Sequence, residues 1–443
     1  MSFPKYPEYK DSGVEWLGEV PAHWDVRRLK FVLSQITDRA TERVNPVALE
    51  NIEGWSGRYV EGESDYSGGG IAFQKGDILF GKLRPYLAKV YLPINHGEAV
   101  GDFHVMRPCR KLSERYAFHQ LLQPQFISVV DGATHGAKMP RVGWEVMGNM
   151  PFVTPPLHEQ AHIATFLDYE TARIDALVEE QQRLIELLKE KRQAVISHAV
   201  TKGLDPDVPM KDSGVEWLGE VPAHWEVGGL TKFIGPIVDY RGRTPEKVDD
   251  GVFLVTAKNI RDGRIDYEVS REYADPDSAK SLLERGKPEI GDLLFTMEAP
   301  LGQVALIDRT DIALAQRIVK FKGVEGVMMN SYLMYWLMST GCQARMETLA
   351  TGSTALGIKA SKLGMIECPA PPVTEQEEIV SHIERESAKH DVLLAEAQAN
   401  IDLLQKRRSA LISAAVTGKI DVRGWQPPEV SLAHVEAVQM EGV

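Results

Sequence analysis

Cysteine is nearly missing from this chain: three residues in 443, at Cys109, Cys342 and Cys368, with no C-x-x-C pair. That excludes a disulfide framework, argues against a zinc site and fits a reducing compartment, expected here to be the cytoplasm. Long apolar runs are also absent. No window holds eighteen consecutive apolar residues, so neither a membrane span nor a membrane partner is expected. The opening MSFPKYPEYKDSG has no apolar signal core, which argues against export. Positive charge is scarce as well: 50 Lys and Arg stand against 63 Asp and Glu, a net charge of −13. Any polyanion partner must therefore be met by local basic clusters.

Catalytic signatures are missing too. The nearest approach to a phosphate-cradling Walker loop, Gly352 to Gly357, has Ile358 where the Lys should stand and Lys359 one place late. There is no G-x-S-x-G elbow, no H-E-x-x-H, no EF-hand loop and no Asn/Asp-Pro-Pro-aromatic tetrapeptide of amino-methyltransferases. His158 and His162 stand four apart but lack a third ligand, so they are read as surface or interhelix histidines. The chain reads as a non-enzyme with no catalytic residues, no cofactor and no metal of its own.

What is present is a repeat. The string KDSGVEWLGEVPAHW, Lys10 to Trp24, returns letter for letter from Lys211 to Trp225, an offset of 201. A second matching block starts at Pro155 and again at Pro371, an offset of 216, and stays in register to Asp205 and Asp421. The second middle is therefore 15 residues longer. A fixed frame enclosing two divergent middles is the pattern of a duplicated architecture.

Neither Gly nor Pro occurs from Leu157 to Lys202 or from Val373 to Thr417, which predicts two long helices. Apolar residues recur at spacings of three and four: Ile163, Leu167, Ile174, Leu177, Leu184, Leu188 and Val195 in the first, Ile379, Ile383, Leu393, Leu404 and Leu411 in the second. This heptad seam predicts pairing of the helices with each other, antiparallel if the halves are related by a twofold axis. Thr374 and Glu377 form a capping-box pattern, and Gly203 and Gly418 sit where the helices should stop. The middles read as mixed α/β globules. GDILFGKL, AKVYL, GDLLFTM and GQVALI are strand-like, and YAFHQLLQPQFISVV and SYLMYWLMSTGCQARM are helical. The fold class is α+β, with domains at 1–155 and 204–371, helices at 156–203 and 372–420 and a tail at 421–443.

Two divergent middles, each preceded by SGVEWLGEVPAHW and followed by a PP-x-x-EQ helix, resemble the specificity subunit of type I restriction–modification systems. The resemblance runs from Tyr6 to about Asp421. It implies two target recognition domains, each reading half of a split double-stranded DNA sequence. The helices would set the spacing between half-sites and dock two methyltransferase subunits, with two restriction subunits joining. S-adenosylmethionine and ATP would be bound by those partners. On this view Trp16, Trp24, Trp217 and Trp225 pack each domain onto a helix end. A coiled-coil scaffold binding only protein is the competing reading, although it needs no divergent middles.

Candidate DNA contacts follow from basic clusters on loops with Gly neighbours, where Arg suits guanine and Asn suits adenine. In the first middle they are Lys82, Arg84 and Lys89; His135, Lys138 and Arg141; and, flanking these, Arg107, Arg110 and Lys111. In the second they are Arg241 and Arg243; Lys258, Asn259, Arg261 and Arg264; and Lys359 with Lys362.

Overall fold

The structure, a computed structural model, describes residues 3–62, 68–242, 245–315, 317–352 and 356–428. The chain divides into two compact units, Met1–Gln182 with Gln398–Val443, and Arg183–Ala397. The long helices run Leu157–Lys202 and Val373–Val416. Gly203 and Gly418, at φ of +76° and +75°, supply the left-handed residue after each helix. Thr374 is not an N-cap. It is the second residue of its helix, and the Pro372 carbonyl accepts the first amides, from Glu375 at 2.9 Å and Gln376 at 3.0 Å.

Each unit is built around a four-stranded antiparallel sheet of the same strand order. In the first unit the order is Leu33–Ile36, Phe103–Pro108, Ile78–Gly81, Val90–Tyr91. In the second it is Val238–Asp239, Ile318–Phe321, Leu293–Met297, Leu301–Leu306. The central strands alternate strictly, as the two-residue period of a strand demands. Ile78 and Phe80 face helices Glu114–Leu121 and Pro124–Gly132, while Leu79 packs with Val47, Phe73, Phe103 and Val105. Leu293 and Phe295 likewise face helices Asn330–Met338 and Thr340–Leu349, and Leu294 turns to a separate core with Leu314 and Ile318. Pro124 and Ser339 each split an apolar helical stretch in two. The longer second middle holds an extra helix, Pro276–Leu283, whose N-cap Asp275 accepts from the amides of Asp277 and Ser278.

The repeated frame is a set of ties. In the first unit Trp24 is fully buried and its indole donates to Glu159 at 3.0 Å, while His23 meets the same carboxylate at 2.6 Å. Trp225 and His224 make the same bonds to Glu375, at 3.0 and 2.7 Å. Gln160 donates to the carbonyls of Pro155 and Lys111 and accepts from the Ser113 amide; Gln376 does so with Pro371, Val327 and Met329. The Tyr116 hydroxyl reaches the carbonyls of Val153 and Val416, and the Tyr332 hydroxyl those of Pro369 and Val200. Each tyrosine thus joins the strand entering one long helix to the last turn of the other. The last two residues of the repeated string, His-Trp, make the same tie in both units.

The seam departs from expectation at three positions. Leu177, Leu184 and Leu393 are 39%, 42% and 46% exposed, whereas Ile163, Leu167, Ile174, Ile379 and Ile383 are buried. On the second helix the buried positions include Ala397 and Ile401 instead, so these two take over part of the apolar stripe.

Candidate nucleic-acid interface

In the first unit two loops some fifty residues apart in sequence are joined by backbone. Leu83 and His135 both bridge to Arg141, the Arg84 amide donates to Pro140 at 2.8 Å, and the Val142 amide donates to Lys82 at 3.0 Å. This brings Lys82, Arg84, His135, Lys138 and Arg141 onto one platform. Asp102 sits within it, accepting from Arg141 at 2.8 Å and lying 3.8 Å from Lys82. Arg84, His135 and Lys138 are exposed, and so, by about half, are the apolar Tyr86 (47%) and Met139 (48%) on the same two loops. Beneath the platform His104 holds the Val142 carbonyl at 3.0 Å. Burial pushes its imidazole down to about 4.

Other candidates are occupied within the fold. Lys89 donates to the Leu49 carbonyl at 2.6 Å, and Arg107 makes a paired bond to Asp77 at 2.7 and 2.8 Å. Lys362 donates to the Leu349 carbonyl at 2.8 Å. Asn259 is fully buried: its oxygen accepts from the Thr256 amide and its nitrogen donates to the carbonyls of Asp266 and Ser270. Asn51 does the same in the first unit, accepting from Ala48 and donating to Val60 and Gly62. The recurrence of Asn-Ile in both middles was the available signal that this residue builds a turn.

The basic residues of the second unit are not gathered in the same way. Arg241 folds back on Asp239 at 2.6 to 3.0 Å, and hydrogen bonding to that guanidinium holds the carboxyl below its usual range. Lys258 is exposed beside a hairpin whose ends carry Arg261 and Arg264, and Lys359 is exposed on a further loop. Arg243 lies outside the described residues. Among the described residues no backbone pairing joins these three loops. The counterpart of the first platform exists, through bridges of Gly357 to Glu298 and to Thr351 and an Ile358 amide bond to Met297. It carries Glu298 and Ala299 where the first unit has Leu83 and Arg84, so two like scaffolds present unlike chemistry.

Two like scaffolds of sheet and helices on a repeated frame thus carry surface loops of unlike chemistry. Residues 278–394 match the family model described as type I restriction modification DNA specificity domain. The chain is 22% identical over 345 residues to the EcoBI type I restriction enzyme specificity subunit of Escherichia coli, covering 75% of this chain and 72% of that one. It is 23% identical to the putative MjaX specificity subunit of Methanocaldococcus jannaschii, covering 96% and 99% of the two chains. Among solved structures, a chain of a type I R-M system studied for complex assembly and conformational transition matches with a TM-score of 0.69 at 16% identity, over 90% of this chain and 99% of that one. Residues 278–394 are thus similar to a type I DNA specificity domain, and the chain is similar to type I specificity subunits along most of its length. The curated relatives it matches are specificity subunits.

Proposed function

We propose that this chain reads a bipartite double-stranded DNA target, one half through each middle, and docks two methyltransferase and two restriction subunits. S-adenosylmethionine and ATP are bound by those partners. The observation that carries the DNA-reading part is the joined platform, which gathers the cations Lys82, Arg84, Lys138 and Arg141 beside His135 on a chain of net charge −13. Unlike chemistry on like scaffolds supports two different half-sites.

The long helices are proposed to pair as an antiparallel coiled coil relating the halves by a pseudo-twofold axis. The reciprocal ties of Tyr116 and Tyr332 support this, as do the ion pairs Asp175–Arg408 in the first unit and Arg192–Asp391 in the second. Leucines exposed on the helices, Leu177 in the first unit and Leu184, Leu187 and Leu393 in the second, support partner docking there.

The test is methylome sequencing of a host carrying the operon with wild-type chain or with Arg84→Ala and Lys138→Ala. A split motif that depends on this gene, and that loses stringency in one half only, is expected. Methylation that does not depend on the gene overturns the proposal.

A further inference from the structure

We infer that Arg408 is a positioning residue for the basic platform of the first unit, an inference that rests on the proposed DNA reading for its functional meaning. Arg408 lies near the end of the second long helix and is only 9% exposed. Its guanidinium donates to Asp175 on the first long helix at 2.8 and 3.3 Å and, through Nη1, to the Trp55 carbonyl at 2.8 Å. Trp55 belongs to a turn that touches the platform. Its amide donates to the Ala88 carbonyl at 3.0 Å, and a Cβ on neighbouring Gly54 would come within 2.2 Å of the Leu87 oxygen.

From there the backbone continues without a break. The Ala88 amide donates to Pro85 at 2.8 Å, that of Leu87 to Arg84 at 3.0 Å, and that of Arg84 to Pro140 in the His135–Arg141 loop. Trp55, Ala88 and Arg84 are all left-handed, at φ of +66°, +47° and +50°, a conformation disfavoured for residues with a Cβ. Such residues persist where their surroundings over-determine them. Here the determinant is a chain of bonds that begins at one guanidinium.

The second unit lacks this arrangement. Gly263, at φ of +79°, takes the place of Trp55 and makes an isolated bridge to Ala305 in the strand Leu301–Leu306. Arg192, at the helix position matching Arg408, donates to Asp391 at 2.9 Å, and among the described residues it makes no hydrogen bond to the Gly263 turn. The neighbouring Gln193 donates to the Met338 carbonyl instead. Arg192 is therefore an internal control.

Hydrogen exchange on the full chain tests the inference without DNA. Arg408→Gln should speed exchange of the amides in 82–89 and 135–142 at least tenfold, leaving 297–303 at the wild-type rate. Arg192→Gln should change neither segment. Adding Trp55→Gly to Arg408→Gln removes the left-handed penalty and should restore most of the protection, a rescue that general loosening of the unit would not show. Unchanged exchange in 82–89, equal loosening of 297–303, or failure of that rescue overturns the inference. In the assembled complex, Arg408→Gln should also relax base preference in one half-site. If exchange responds as expected and both half-sites keep their stringency, the coupling stands and the assignment of the platform to DNA reading falls.

Discussion

Glu159 shows how much one buried charge organises. It is 2% exposed and accepts from Trp24, His23 and Tyr6, at 3.0, 2.6 and 3.2 Å, so its cost of burial is offset by three donors. Glu159→Ala strands the indole and phenol donors and should destabilise the first unit by about 2–4 kcal/mol, measured by urea unfolding. Glu375→Ala should cost less, because the side chain of Glu375 keeps a quarter of its surface in water. His104 predicts a pH dependence of definite sign. Its folded value of about 4 lies below that of a free imidazole, near 6.5, so the unfolded chain binds the proton first. Its contribution is complete above pH 6.5 and is lost as pH falls from there towards 4, by up to about 3 kcal/mol. His104→Gln should flatten that part of the stability profile; an unaltered slope would contradict the assignment.

Among the elements, the paired loops at 82–88 and 135–141 are where DNA affinity is expected to reside. Removing Arg84 and Lys138 together should weaken binding of the assembled complex and lower the slope of log affinity against log salt by roughly 1 for each phosphate no longer neutralised. Lys362→Ala, whose amine is already spent on Leu349, should leave that slope unchanged. The difference between these lysines was not legible in the sequence. Both stood in short basic turns, and only the tertiary pairing of Leu83 with Arg141 separates a gathered cation from a solitary one. The helices were legible nearly to the residue, since Gly203 and Gly418 punctuate long stretches without a breaker. Asn259 suits a base reader by residue type alone, because its buried role depends on carbonyls seven and eleven residues away. Arg408 looks like one charge among Lys406, Arg407 and Arg408, and helix periodicity says nothing of a carbonyl at Trp55.

At the scale of the whole molecule, one continuous helix, Leu157–Lys202, gives the chain that joins the two middles a measurable length. Four residues inserted near Glu180 add about 6 Å of helix and rotate the seam by only about 40°. Methylome sequencing of that variant should give the same half-sites with a non-specific spacer longer by one or two base pairs. An active variant with an unaltered spacer would show that helix length is not the ruler. The duplication itself was plain from one repeated string, whereas the contrast in loop chemistry between like scaffolds emerged only once both sheets could be matched strand for strand.

The division of the chain also fixes an order of events at the ribosome. The second unit, Arg183–Ala397, is continuous, whereas the first needs Gln398 onwards to supply Val416, which Tyr116 holds, and Asp421, whose amide donates to Pro4 at 2.8 Å. The domain synthesised first is therefore the last that can be finished. While the second matures, the apolar surface of the first that awaits Ile412, Ala415 and Val416 stays uncovered. A released chain truncated after Ala397 should show residues 183–397 resistant to protease and residues 114–182 open to it. The helix that closes the first half of this protein is in that sense its last instruction.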